Sequence, residues 1–516
     1  MHNRIKTQMT AAQKLQEDRE KEKKLKLYQN GMKEVFELRF SKEYNDKSLK
    51  SSESLLRSNP DIVTLWNFRK EIFTNLEPSK ELLNEELYLT EKCLLINPKS
   101  YSVWFHRYWI LEYIYSNPNW HNELILCTKY LKMDERNFHC WDYRQIVATK
   151  CQVSIENELK FTMEMIDSNF SNYSAWHYRS KLLNTTDQDK ELLQISELKL
   201  VENAAFTDPS DQSAWIYQRW LIGKLEPSKF IYKIHHLNNQ VYLILNRSLP
   251  NHFKVKDIDN NTWKPFDSNK NVWFINSSKI DNHSIKIIDN NYQVIDKSSN
   301  GTVSHQDIFT LFINEKLKNV LHVQMESLHQ LLKLEPESKY ALLTYVLLLY
   351  TLKPQNYFEK CLINLNLLKK IDKLRKNYYC SLECRYRIEY WITNNTNTDH
   401  VNLSNNNLTA FYHLNMFVCS KTIDLSNNNL SNSNLQCLKY LLSCTELSLM
   451  NCNLTNLKGF PDLPNLKILN LRDNNLEENS YNDLKKCRSL ETILLDKMQT
   501  LLCLNFKDSL FKIEII

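Results

Sequence analysis

Glycine is nearly missing from this chain. Its 516 residues include four, Gly31, Gly223, Gly301 and Gly459. A P-loop or a dinucleotide-binding turn needs several glycines within a few residues, so both are excluded. A doubly wound fold or a β-barrel rich in tight turns is disfavoured, because both place glycine where φ is positive. Long apolar runs are missing too. No stretch reaches 18 apolar residues, and the longest candidate, Ala341 to Leu352, is broken by Thr344 and reads as a buried helix. Nor does one sign of charge dominate: 66 Lys and Arg against 60 Asp and Glu leave +6, too mild for a nucleic-acid-binding domain. The opening MHNRIKTQMTAAQKLQEDREKEKK is charged and lacks the apolar core of a signal peptide, and the tail FKIEII has no terminal cysteine to lipidate. The 13 cysteines are scattered through apolar patterns, and Cys380 and Cys384 have no second pair at zinc-finger spacing. They read as reduced, buried thiols of a cytoplasmic protein. Helices and asparagine-supported turns remain, in about two to four domains.

What is present is a repeat. Five segments share one layout: NPDIVTLWNFR at 59, NPKSYSVWFHR at 97, DERNFHCWDYR at 134, NFSNYSAWHYR at 169 and DPSDQSAWIYQR at 208. Their tryptophans, Trp66, Trp104, Trp141, Trp176 and Trp215, are separated by 38, 37, 35 and 39 residues. Arg69, Arg107, Arg144 and Arg179 follow at the third position, while in the fifth copy Gln218 stands there and Arg219 comes one place late. A decayed sixth copy lies at EPESKYALL, with Leu342 in the tryptophan's place. Asn59, Asn97 and Asp208 read as N-caps, with Pro60, Pro98 and Pro209 at the first helical position. A unit of this length holds two four-turn helices and two short loops. The expected architecture is therefore an all-α helical-hairpin solenoid, with the tryptophans as core and the arginines stacking or pairing across the groove.

The flanks differ. Residues 1–45 form a charged arm and an amphipathic helix carrying Leu25, Met32, Val35, Phe36 and Leu38, with the hairpin repeats following over 46–241. Over 242–303, short strand-like pieces such as HFKVKDI and NVWFINSS sit between Asn-, Asp- and Ser-rich turns, which reads as a small β-like or loop insertion. Helices resume over 304–395. Residues 396–516 then change period: VNLSNNNL at 401, IDLSNNNL at 423, LSLMNCNL at 447 and LNLRDNNL at 469 fit a leucine-rich-repeat α/β domain. In that pattern Asn406, Asn428, Cys452 and Asn474 satisfy backbone groups in the turn after each strand, and the strand face either binds a protein or buttresses the helices.

No self-contained active site is legible: there is no nucleophile elbow, no H-E-x-x-H and no paired Cys-x-x-Cys. The residues ahead of each tryptophan are more informative, because the register brings them to one lip of successive hairpins. Lys99, Tyr101, Arg136 and His139 converge there, with Phe138 and Tyr173 at the equivalents of Tyr101. Two cations, a hydroxyl, an imidazole and helix N–H groups make a diphosphate-recognition patch able to stabilise a departing pyrophosphate. The same residues read equally as solvated charge and packing.

The pattern N/D-P-x-x-Y/F-x-x-W-x-x-R resembles the repeat of protein prenyltransferase alpha subunits. The leucine-rich tail, and a start MHNRIK similar to M-H-G-R-V-K, resemble those of Rab geranylgeranyltransferase (type II) in particular, over residues 1–240 and 305–516. The insertion is shorter than, and unlike, the immunoglobulin-like domain of the animal members. The resemblance implies a heterodimer with a beta subunit that carries zinc and a lipid pocket. It implies transfer of geranylgeranyl from geranylgeranyl diphosphate to C-terminal cysteines of Rab GTPases presented by an escort protein, with the need for Mg²⁺ left open. It places diphosphate contacts on Lys99, Tyr101 and His139, with Phe138 in place of a further tyrosine, and makes His2 an auxiliary ligand to the partner's zinc. The competing readings are a nonenzymatic scaffold of tetratricopeptide-like and leucine-rich repeats, and the alpha subunit of a farnesyl or type I enzyme, which gives no reason for residues 400–516.

Overall fold

The computed structural model describes residues 11–186, 189–225, 231–237, 239–245, 248, 253–256, 263–276, 286–289, 292–296, 309, 311, 313–352, 354–395, 397–496 and 512–515. The chain divides into two compact units, 1–188 and 189–516. None of the described helices is long and apolar enough to cross a membrane.

The first unit is helical throughout. It runs α1 (Ala11–Phe40), α2 (Asp46–Leu56), α3 (Val63–Asn75), α4 (Lys80–Ile96), α5 (Tyr101–Trp109), α6 (Trp120–Met133), α7 (Phe138–Lys150), α8 (Ile155–Ser168) and α9 (Tyr173–Thr185). A π-turn at Ile110–Ile114 extends α5. Only the end of α1 is packed: Val35 and Leu38 are buried, while Leu25, Leu27 and Phe36 are exposed. The odd helices α3, α5, α7 and α9 form one row, each touching the next, and α4, α6 and α8 pack against α5, α7 and α9.

The loops depart from expectation in one respect. Asn59, Asn97 and Asp208 are not N-caps; Asn97 is the C-cap of α4, and α5 starts after Ser100. Each of these side chains, with Asp134 and Asn169 at the same place, instead bends its own loop through Oδ1: Asn59 accepts the Asp61 amide, Asn97 that of Lys99, Asp134 that of Arg136, Asn169 that of Ser171 and Asp208 that of Ser210. The reason is a second bond that needs the loop non-helical. Each buried indole donates to the carbonyl six residues earlier: Trp66 to Pro60 at 2.7 Å, Trp104 to Pro98 at 2.9 Å, Trp141 to Glu135 at 2.8 Å and Trp176 to Phe170 at 2.8 Å. The tryptophans are core, and each also clasps its own loop.

Arg69, Arg107 and Arg144 pair as expected, each with a carboxylate that the sequence reading missed. Arg107 grips Glu123 on α6 through two bonds of 2.6 and 2.7 Å, and Arg144 grips Glu158 on α8 at 3.0 and 2.6 Å. Arg69 holds Glu86 on α4 in the same way, with Nε at 2.8 Å from Oε1. The same carboxylates accept a bond from the next odd helix: Glu86 faces His106 at 2.6 Å, Glu123 takes the Tyr143 hydroxyl at 2.7 Å and Glu158 the Tyr178 hydroxyl at 3.0 Å. Each buried glutamate thus ties three helices together, and losing the arginine of the ion pair would strand the glutamate's charge at a cost of about 3–5 kcal/mol.

The second unit opens with α10 (Lys190–Thr207) and α11 (Gln212–Ile222) and later adds α12 (Glu315–Leu334), α13 (Lys339–Leu352), α14 (Phe358–Ile371) and α15 (Lys376–Asn394). The repeat continues across the intervening segment. Trp215 donates to the Pro209 carbonyl at 3.2 Å, and Ser338 reaches that carbonyl as Ser100 reaches that of Pro60. Leu342 is buried on α13. Here Gln218 replaces the arginine and donates to Gln324 of α12 at 3.2 Å, a neutral pair where the other copies have an ion pair.

Between α11 and α12 the described residues form seven strands, β1 (Ile231–Leu237), β2 (Gln240–Leu245), β3 (Phe253–Lys256), β4 (Lys264–Pro265), β5 (Val272–Asn276), β6 (Lys286–Asp289) and β7 (Tyr292–Asp296). They make two antiparallel sheets, β1-β2-β5-β4 and β3-β6-β7, beginning at Ile231, ahead of residue 242. Residues 400–515 contribute β8 (His400–Asn402), β9 (Thr422–Asp424), β10 (Glu446–Ser448), β11 (Ile468–Asn470), β12 (Thr492–Leu495) and β13 (Lys512–Ile515), a parallel sheet in sequence order. Leu403, Leu425, Leu449, Leu471 and Leu495 are buried in its core. Asn428 accepts the Asn406 and Leu408 amides and donates to the Leu403 and Leu425 carbonyls. Asn474 does the same for Cys452, Leu454, Leu449 and Leu471. The first antiparallel sheet shares this core through Tyr242, Ile244 and Val272, and Asn415 donates to the Leu245 carbonyl at 2.8 Å. Among the described residues no two cysteines are joined in a disulfide.

Candidate diphosphate-binding rim

The loops that precede the odd helices of the first unit form a rim, and the clasped tryptophans fix their shape. Tyr101 is the first residue of α5 and Phe138 the first of α7, so the side chains of both loops stand at consecutive helix starts. Tyr101 is 72% exposed, its ring available to a ligand or partner. Its centroid lies 5.5 Å from that of His139, with the planes at 79°. The Phe138 ring also packs on the imidazole, with centroids 4.0 Å apart.

Lys99 extends into the same cluster, where its ammonium is 3.0 Å from Asp134 Oδ2. Burial pushes the His139 imidazole below its usual range; Asp142 opposes this and Lys99 reinforces it. His139 is therefore neutral at pH 7, a hydrogen-bond donor or acceptor and not a fixed cation. Ser100, the N-cap of α5, makes no capping bond because its hydroxyl turns to the Pro60 carbonyl, whereas Asn137 caps α7 through the Cys140 amide at 3.3 Å. The first turn of α5 thus offers amides without a side-chain cap, beside an ammonium and a phenol.

Three of the five expected site residues, Lys99, Tyr101 and His139, come together. Arg136 lies on the same rim, but its guanidinium is committed to the Ser171 carbonyl of the next loop at 3.1 Å. His2 lies outside the described residues. Sequence reasoning missed Asp134, whose charge faces Lys99, and Asp142, which faces His139. Asp134 was visible as an Asx residue, but nothing local tells which neighbouring loop its second oxygen meets. In the second unit the displaced Arg219 lines a cavity of about 410 Å³ with Tyr350, Arg385, Glu389 and His413. Arg385 and His413 both bond Glu389, at 2.6 and 2.8 Å.

Comparison with known proteins bears on this arrangement. The family model described as "Protein prenyltransferase alpha subunit repeat" matches residues 83–114, 120–151, 155–186 and 196–225. The chain is 33% identical to the geranylgeranyl transferase type-2 subunit alpha of Mus musculus over 93% of its own length and 92% of that protein's. It is 33% identical to that of Homo sapiens over 93% and 92%. The Saccharomyces cerevisiae protein of the same name is 33% identical over 48% of this chain and 81% of its own. A solved structure, Candida albicans protein geranylgeranyltransferase-I complexed with GGPP, is similar with TM-score 0.42 and 19% identity, over 69% of this chain and 88% of that one. By identity across nearly its whole length and by four matched repeats, the chain belongs to the protein prenyltransferase alpha subunits, in the family of the type-2 geranylgeranyl transferase subunit alpha.

Proposed function

We propose that this chain is the alpha subunit of a heterodimeric Rab geranylgeranyltransferase, and that its rim binds the diphosphate of geranylgeranyl diphosphate. One observation carries the reading. Lys99, Tyr101 and His139, selected from the repeat register, converge on adjacent first turns, with Tyr101 and His139 5.5 Å apart. A cation, a phenol, a neutral imidazole and uncapped helix amides suit a group whose negative charge grows as the allylic carbon departs. Lys99 offsets that charge, while Tyr101 and His139 donate hydrogen bonds to its oxygens. Arg136, fixed on the Ser171 carbonyl, supports the loop and adds long-range positive potential.

In this reading a beta subunit packs on the rim and supplies the lipid pocket. Among the described residues no group of three His, Cys, Asp or Glu side chains is placed to hold a metal ion. Following the family resemblance, the proposal puts zinc on the partner, where it would hold the acceptor cysteine as a thiolate, with His2 as an auxiliary ligand. Mg²⁺ is left open. Rab GTPases, presented by an escort protein, are the acceptors, and the compartment is the cytoplasm. The buried leucine rows and the asparagine bonds of residues 400–496 support assigning the C-terminal sheet as leucine-rich repeats.

The test is co-expression with a candidate beta subunit, followed by an assay of geranylgeranyl transfer to a Rab with and without escort protein. Transfer that requires both chains supports the proposal. A stable stoichiometric complex without transfer rejects it in favour of a scaffold.

A further inference from the structure

Lys99 is not a free cation on the rim. Its ammonium is held by Asp134 Oδ2 at 3.0 Å, while Oδ1 of the same carboxylate accepts the Arg136 amide at 3.1 Å. The two oxygens have separate tasks. One shapes its own loop, and the other reaches back to the lysine of the preceding loop. Neighbouring loops are joined differently elsewhere in this unit. Asn97 donates to Asp61 at 2.8 Å through an amide, and Arg136 donates to the neutral Ser171 carbonyl. Among the described residues of these loops, a cation and a carboxylate meet only at Lys99 and Asp134.

An exposed pair of this kind adds little to fold stability. Its effect on an incoming anion is larger. A diphosphate that takes Lys99 must displace a carboxylate from it and then bear that carboxylate's repulsion at short range. We propose that Asp134 is a positioning residue that competes with the diphosphate for Lys99. It keeps the ammonium parked at the rim and weakens the resting grip on the anion, so that spent diphosphate is released. The inference rests on the assignment of Lys99 to diphosphate recognition.

Asp134→Asn is a clean probe, because the amide oxygen keeps the loop bond to the Arg136 amide and only the charge is lost. The experiment uses the heterodimer with its beta subunit and inorganic diphosphate as the probe, measuring inhibition of prenyl transfer and direct binding by calorimetry. Asp134→Asn is expected to tighten diphosphate binding roughly fivefold with an unchanged thermal midpoint. Lys99→Ala is expected to weaken binding, and adding Asp134→Asn to it should bring a smaller gain than in the wild-type background, because only the direct repulsion is then relieved. Unchanged or weaker binding in Asp134→Asn, or the same gain in the double variant, overturns the competitor role. Should Lys99→Ala leave diphosphate binding untouched, the diphosphate assignment itself fails. A clear loss in Lys99→Ala beside a silent Asp134→Asn sinks the inference alone.

Discussion

Tyr143 and Arg107, carried on successive odd helices, meet on one oxygen of Glu123: the hydroxyl donates at 2.7 Å and the guanidinium Nε at 2.6 Å. The carboxylate is buried on α6, so repeat-to-repeat stacking passes through a single charge. Glu123→Ala would leave the buried Arg107 with only the more distant Glu91 carboxylate at 3.5 Å and is expected to destabilise the chain by about 3 kcal/mol. Tyr143→Phe should cost about 1 kcal/mol, one hydrogen bond. Urea unfolding of both variants checks the ordering; equal losses would show that the ion pair is not the tie.

The neutral pair Gln218 and Gln324 offers a swap. Gln218→Arg or Gln324→Glu alone buries an unpaired charge and is expected to cost about 3 kcal/mol. Together they recreate the ion pair of the other copies, so the double variant should recover at least half of the summed loss. Thermal unfolding of the four proteins in the cycle reads the coupling, and strict additivity would refute it.

Acid should weaken the first unit in two steps. Burial would raise the Glu86 carboxyl, but Arg69 and His106 outweigh it and hold it at about 2. Its contribution is present above the ordinary range near 4.5 and is lost as pH falls toward 2. Burial lowers the His106 imidazole, and the bond to Glu86 only partly offsets this. The unfolded chain therefore takes up that proton first, and stability falls as pH drops below about 6.5. His106→Tyr supplies the hydroxyl that Tyr143 and Tyr178 use in the next repeats and should remove the upper step while leaving the lower one. Chemical denaturation between pH 7 and pH 3 separates the two, and a His106→Tyr profile identical to wild type would count against this account.

At the rim, Lys99→Ala should lower the rate of prenyl transfer by about tenfold or more while the heterodimer forms normally. Size-exclusion chromatography beside the transfer assay decides the point. A lost complex would make Lys99 structural.

In the C-terminal sheet, Asn428→Leu removes an acceptor for two amides and a donor to two carbonyls, three of these four bonds buried. A loss of about 3 kcal/mol or more is expected, read from the urea midpoint.

The tryptophan period and the asparagine rows were legible because each repeats within a narrow range of spacings, which no single residue could reveal. The loop chemistry was not. Asn97 and Pro98 look like a helix start by local rule, and only the indole of Trp104, six residues away, makes the non-helical turn the better state. The glutamate ladder was open to detection: Glu86, Glu123 and Glu158 follow the tryptophans' own spacing of 37 and 35 residues. It passed unread because glutamate on a helix is ordinarily a surface residue. Register alone brought Lys99, Tyr101, Arg136 and His139 to one lip, whereas Asp134 needed coordinates, since its partner sits in a different loop.

The indole clasp also dictates where the chain tolerates extra length. With acceptor and donor six residues apart in every copy, an insertion on that side would tear open the closure and misplace the tryptophan. The turns at the other end of each hairpin bear no such closure, and the seven-stranded segment is spliced into one of them, between α11 and α12. A reporter or affinity handle grafted at Ser116–Asn119, between α5 and α6, would exploit the same freedom and leave the clasped loops of the first unit intact.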